Sequence, residues 1–415
     1  MRCRCLHCTV PPPTRTKARG WGTSSSAATV LLAVLASAFQ ATAVGAQPPP
    51  VVLAIEHVTV LPMTRDTALV DHTVLVRDDR IVWVGRASEA RVPPAARRID
   101  GRARYLIPGL ADMHVHLRST QHLSQLVVAG VTTVRNMNGG PEHLAWREAV
   151  AAGTLVGPTI FTTGPPLGQY RVNPDPRFVG LGSTADADRI VREQAQAGYD
   201  MIKVIQRISA PVYEHLVRVA RAAGMPVVGH VIPGIGLERS LAAGQVSVEH
   251  VDRLRNRSRV ASLFGADKKG FDDDARAVAR NGAWVGTIAS SRTGGCEPPT
   301  DIVRRSLASL RRANVKMLAG SDAGIGPVQP SSALHCELAT LVAAGLTPYE
   351  ALATATVNPG AFARMHLKRA QTSFGTVTAG ARADLVLLVS DPRVDIRAVN
   401  KPLGVVLRGV WLPRR

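Results

Sequence analysis

Aromatic residues are scarce, making up 4% of the 415 residues. Without aromatic platforms, and with its arginines scattered, the chain offers no nucleic-acid module despite a formal charge of +19. The basic balance reads instead as a solvated surface. Cysteine is sparse too. Of five, Cys3, Cys5 and Cys8 lie near the N-terminus, leaving Cys296 and Cys336 far apart. Two cysteines make no disulfide framework, and their spacing is not of metal-binding type. They could pair in an oxidising compartment, and the sequence leaves that open.

No apolar run is long enough to span a bilayer. The longest candidate, Ala27 to Phe39, has roughly 13 residues against the ~20 a spanning helix needs. Acidic residues are absent before it, while Arg2, Arg4, Arg15, Lys17 and Arg19 are present, and small residues follow through Ala41-Thr42-Ala43 and Val44-Gly45-Ala46. This reads as a cleaved signal peptide over 1–46 and a secreted or periplasmic protein. No arginine pair occurs in that stretch, which favours general secretion over twin-arginine export. The long basic region leaves room for a start codon further downstream. Removing the segment takes away five charges, so +19 becomes +14.

With 46% apolar and 20% charged residues, the rest reads as an ordinary globular chain. From Val51 to Tyr105 the pattern is β-like, in runs such as Val51-Val52-Leu53-Ala54-Ile55 and Ile81-Val82-Trp83-Val84. Gly375 to Val389 and Leu403 to Leu412 share that character. Between them, Pro108 to about Ala370 alternates short apolar runs with helical stretches. Ser183-Thr184-Ala185-Asp186 starts a helix and Gly198 ends it, followed by strand Met201 to Ile205. Strands Pro226 to His230, Val246 to His250, Ala283 to Thr287 and Val315 to Gly320 follow. Their helices are Leu237 to Ala243, Asp273 to Arg280 and Ile302 to Ala313. The fold class expected is α/β: a (β/α)8 TIM barrel over 108–371.

Chemistry enters at the strand ends. In Leu110-Ala111-Asp112-Met113-His114-Val115-His116, residues two apart on a strand face the same side, so both imidazoles point to the barrel axis. Lys203, His230, His250 and Asp322 each fall at or just past the C-terminal end of a separate expected strand, the rim where barrels carry catalytic groups. Lys203 interrupts an apolar strand. An ammonium beside two cations would be repelled, whereas burial lowers a lysine's pKa. The neutral amine can then add carbon dioxide, and the resulting carbamate has two oxygens suited to bridging two metals.

These residues resemble the amidohydrolase superfamily, in particular its imidazolonepropionase-like and prolidase-like peptidase branch. The resemblance is carried by Leu106 to His116, Gly130-Val131-Thr132-Thr133-Val134-Arg135, Tyr199 to Val204, Val228 to His230, Val248 to His250, Leu318 to Gly324 and Gly345 to Pro359. Gly380-Ala381-Arg382-Ala383-Asp384-Leu385 is similar to the family's returning β-segment. The resemblance implies a small composite β-sandwich domain formed by the N- and C-terminal segments, 47–107 and 372–415. It also implies that His114, His116 and Asp322 bind the more buried of two divalent metals, that His230 and His250 bind the other, and that carboxylated Lys203 bridges them. Mixed N/O ligation without cysteine suits zinc first, with manganese, cobalt or iron compatible. A hydroxide shared by the metals then attacks the carbonyl, and Asp322 is the general acid and base.

The activity implied is cleavage of an amide or peptide bond, in a dipeptide or an N-acyl amino acid. Alternatives are hydrolysis of a cyclic amide, lactone or ester, or a non-catalytic metal-binding barrel. A nucleobase deaminase fits less well, because Val231-Ile232-Pro233 after His230 supplies no acid. Many relatives follow the bridging lysine with Val-Tyr; here Val204-Ile205 stands, so that tyrosine's part in a pocket is missing.

Substrate choice belongs to the loops after the strands. Candidates are Arg171 and Arg177 in one loop, Arg253, Arg255, Arg257, Arg259, Lys268 and Lys269 in another, and Ser290-Ser291-Arg292 in a third. They read either as clamps for a substrate carboxylate or as solvated lids. His335 and Glu337, at an expected helix start, read either as substrate-side residues or as helix surface. A homo-oligomer is compatible with all of this. His57, His72, His122, His143, His215 and His366 match no rim position and read as structural or exposed.

Overall fold

A computed structural model describes residues 52–168, 177–254, 268–290, 296–325, 329–370 and 373–414. Residues 1–46, read above as a signal peptide, lie outside them, as do Arg171, Ser291, Arg292, Arg255, Arg257 and Arg259.

Both ends of the described chain meet in one eight-stranded sheet. Its order runs Val410–Pro413, Gly404–Leu407, Leu385–Leu388, Tyr105–Pro108, Val52–Val60, Leu69–Arg77 and Arg80–Arg86, with Arg97–Asp100 also pairing to Val52–Val60. The link is antiparallel pairing of Leu385 with Pro108 through Leu388 with Tyr105. Alternation explains it: Leu53, Ile55, Val58, Leu106, Leu385, Leu387 and Val406 form one buried cluster. Each such side chain contributes about 1.5–3 kcal/mol by leaving water, enough to hold strands from the two ends of the chain in register.

Between these ends, β and α elements alternate. Parallel strands Leu110–Val115, Val131–Asn136 and Thr159–Thr162 form one sheet. Leu167–Gly168, Ile202–Gln206, Val227–Gly229, Ser247–Glu249, Trp284–Gly286 and Met317–Leu318 form a second, also parallel. Single parallel bridges, Thr163 with Met201 and Val115 with Ala323, link residues flanking the strands of the two sheets. Met113 also donates its N–H to the carbonyl of Ala319.

Local signals set the helices. The Ser183 hydroxyl accepts from the Asp186 N–H, and the Asp186 carboxylate returns to the Ser183 N–H, capping helix Thr184–Ala197. Gly198 closes it at φ 88°. Helix Lys268–Arg280 begins about a turn earlier than its apolar periodicity suggests, in a stretch where sequence alone marks no cap. Strands Trp284–Gly286 and Met317–Leu318 are shorter than their apolar runs. There the chain leaves the ladder to present side chains at the rim.

Candidate metal centre

His114 lies in strand Leu110–Val115 and His116 just past its end, both buried. Their rings sit 5.4 Å apart. Lys203, in Ile202–Gln206, places Nζ 3.3 Å from His114 Nε2. His230 follows Val227–Gly229 and His250 follows Ser247–Glu249; their rings are 5.0 Å apart, and that of His250 is 5.1 Å from that of His114. Asp322, after Met317–Leu318, brings Oδ1 to 3.1 Å from His116 Nε2 and 3.5 Å from His114 Nε2. The structure therefore gathers all six side chains that the strand-end pattern singled out. Among them, one ligand atom each from His114, His250 and Asp322 lies within 4.8 Å of the others.

The backbone is bent to do this. His250 has φ 70° and Asp322 φ 59°, left-handed values that cost non-glycine residues of order 1–3 kcal/mol and recur at functional sites. Close approach is secured by glycine. A Cβ on Gly320 would lie 2.5 Å from His114 Cβ, and one on Gly324 would strike the His116 carbonyl.

Electrostatics prepare the groups for a cation. Burial, reinforced by facing Lys203, holds His114 well below the ordinary imidazole range. Burial likewise lowers His116 to about 4, against the bond to Asp322. Burial alone would raise the Asp322 carboxyl, but the His116 bond and the neighbouring imidazoles outweigh it and hold the group below the usual carboxylate range. Neutral imidazoles and an ionised carboxylate, converging in a buried place, are the donor set a divalent cation takes. The His116 Nδ1 atom is also buried without a hydrogen-bond partner. The residues present fit a metal.

A supporting layer escaped the strand-end reading. Glu249 accepts from His114 Nδ1 at 3.0 Å, and buried Arg135 donates to both Glu249 oxygens at 2.8 and 2.7 Å. Asp112, pushed up by burial to about 7, accepts from the N–H groups of His114 and Ser321 and from the Ser321 hydroxyl. Glu249 and Arg135 lay within the quoted motifs. What exposes their role is a pair of opposite charges in apolar strands, which sequence alone cannot match up.

The substrate-side candidates separate. Arg177 lines a cavity of about 400 Å³ with His116, Arg118, Glu142, Trp146 and Pro165. His335 is buried elsewhere: its Nε2 donates to the carbonyl of Ala129 at 2.8 Å. That carbonyl precedes strand Val131–Asn136, at the end opposite the rim, so this bond does not bring His335 to the cluster. Glu337 is neither helix surface nor rim ligand. It accepts from the N–H groups of Ala289 and Ser290 and from the Thr287 hydroxyl, tying down the loop after Trp284–Gly286. Cys296 and Cys336 form a disulfide with Cα atoms 4.8 Å apart, anchoring the same region to helix Ala333–Ala343. His143, read as structural or exposed, is buried: it accepts from Gly140 N–H and donates to the Leu117 carbonyl, fixing the chain beyond His116, and it also lines the cavity beside His116.

Residues 105–412 match the amidohydrolase family, and the chain belongs to it. It is 27% identical over 403 residues to an imidazolonepropionase of Micrococcus luteus, covering 83% of this chain and 93% of that protein. It is 25% identical to an ochratoxinase of Aspergillus niger, covering 81% of each. A solved prolidase complexed with N-methylphosphonate-L-proline superposes with a TM-score of 0.72 at 23% identity, over 88% of this chain and all of that one. The protein therefore has a TIM-barrel-type α/β fold and is a metal-dependent hydrolase of carbon–nitrogen bonds. No helix among the described residues is long and apolar enough to cross a membrane.

Proposed function

We propose that the protein cleaves an amide or peptide bond in a small carboxylate-bearing molecule, a dipeptide or an N-acyl amino acid, at a two-metal centre. The observation that carries this reading is the convergence of Lys203, Asp322 and the four histidines from five separate strand ends. His114, His116 and Asp322 would hold one divalent cation, zinc being the best match, and His230 and His250 the other. Lys203, 3.3 Å from His114 Nε2, would, once carboxylated by carbon dioxide, supply the anionic oxygens of a shared ligand. Bound there, such cations supply a water acidified to near neutrality and a Lewis acid for the scissile carbonyl.

The chain's own groups do the rest. Asp322, ionised at neutral pH, would take up a proton and deliver it to the leaving amine. The cavity beside His116 is lined by Arg118 and Arg177 for a carboxylate and by Trp146 and Pro165 for an apolar body. The two single bridges are read as closing the barrel over 108–371, with the sheet of both chain ends, 47–107 and 372–415, as its companion domain. Residues 1–46 are read as an export signal, and the Cys296–Cys336 disulfide suits the oxidising compartment that signal points to.

The test is hydrolysis of a dipeptide and N-acyl amino acid library with zinc and bicarbonate, beside Lys203→Ala. Release of amino acids, lost in the variant, supports the reading. Silence from a protein that binds two metals favours the second reading, a cyclic amide, lactone or ester, which the likeness to an imidazolonepropionase supports.

A further inference from the structure

We infer that Glu249, neutralised by Arg135, is a positioning residue that sets the tautomer and orientation of His114 and thereby the affinity of the centre for its cation. This rests on the reading of His114 as a metal ligand.

The argument begins with a disposition of protons. His114 Nδ1 lies 3.0 Å from Glu249 Oε2, and a carboxylate can only accept, so Nδ1 carries the hydrogen. The lone pair is then on Nε2, the atom that faces Lys203 Nζ at 3.3 Å and Asp322 Oδ1 at 3.5 Å. The other tautomer would point a proton at the place where a cation must sit. An acceptor behind a metal-binding imidazole also raises its basicity.

Glu249 is itself immobilised. Ser247 Oγ donates to Oε1 at 2.6 Å, and Arg135 Nη2 reaches both oxygens. Arg135 Nε donates to the carbonyl of Met113, the residue before His114, and Nη1 reaches Ser247 Oγ at 3.1 Å. The guanidinium thus grips the His114 strand and the carboxylate behind His114 together. Gly286 leaves the room: a Cβ there would lie 2.0 Å from Glu249 Oε2.

A stability role alone does not account for this. Arg135, Ser247, Glu249 and His114 are each at most 1% exposed. A buried ion pair is often no more stabilising than apolar side chains of equal volume, so its place behind one imidazole points to the imidazole.

The test uses the full chain stripped of metal, titrated with Co2+ by visible absorption and with Zn2+ by calorimetry. Glu249→Gln, whose neutral amide oxygen is the weaker acceptor, is expected to weaken binding by about 10–100-fold and to shift the hydrogen-bonded His114 Nδ1–H resonance in the proton spectrum. Asp200→Asn breaks a different buried pair, Arg147 Nη1 to Asp200 Oδ2 at 3.3 Å, and is expected to lower stability with unchanged metal affinity. If Glu249→Gln does not fold, Ser247→Ala carries the test, with weaker Co2+ binding and a shifted Nδ1–H resonance. A folded Glu249→Gln or Ser247→Ala that binds both metals as the wild type does overturns the inference alone. A wild type that binds neither metal overturns the metal reading and this inference with it.

Discussion

Nζ of Lys203 lies 3.3 Å from Nε2 of His114, although 89 positions separate the two residues. Both are buried, so neither can trade the other for water. Lys203→Ala is expected to lower metal content and to reduce turnover by ~100-fold or more, since it removes a group at the centre itself. Elemental analysis and amide hydrolysis on one preparation check both. Full metal content with full activity would remove Lys203 from the centre.

Asp322→Asn keeps size and loses both the proton acceptor and an anionic metal ligand, so it is assayed at saturating zinc with metal content measured. Turnover should fall about 100- to 10,000-fold with a much smaller change in KM, the pattern of a lost general acid–base group. Steady-state kinetics on any accepted substrate decide it.

Chelation should abolish activity and lower the melting temperature together. A cation bound only by the folded state at 100 times its Kd stabilises it by about 3 kcal/mol, so removal returns that amount for each site. Scanning calorimetry with and without chelator, followed by zinc re-addition, measures it.

His335 sits against the Ala129 carbonyl, and burial lowers its pKa despite that bond. An imidazole whose folded pKa lies below its unfolded value gives stability that is present above about pH 6.5 and is lost as pH falls through the folded pKa. Urea midpoints should therefore decline on acidification below that point, and the decline should be shallower in His335→Gln. KM should stay within about twofold, since no rim contact is lost.

Arg177 lines the cavity beside His116. Arg177→Ala should raise KM for carboxylated substrates by about 10-fold or more, and leave amide-capped analogues nearly unchanged, because a charge-assisted bond is worth about 1.5–3 kcal/mol. Equal effects on both series would give the arginine a structural role instead.

Cys296 and Cys336 close a loop of 40 positions. The double serine variant should lose about 2–4 kcal/mol, read from denaturant midpoints. Glu337 still ties Ala289 and Ser290, so the loop after Trp284–Gly286 should loosen rather than detach, with KM moving more than kcat.

Much of this molecule was determined by local pattern. Alternating apolar residues fixed the strands, the Ser183 cap and Gly198 bounded a helix, and residues two apart had to aim His114 and His116 to one side. Polar groups at five strand ends were enough to pick out six residues that the structure brings together, because a barrel's geometry maps strand ends onto one rim. Tertiary structure alone decided which partners those residues have. The pairing of Arg135 with Glu249 behind His114, and the destination of His335 at Ala129, depend on which elements become neighbours. So do the anchoring of a rim loop by Glu337 and the bond between Cys296 and Cys336. A sequence records that a charge interrupts an apolar strand; only packing reveals the group that makes its burial tolerable.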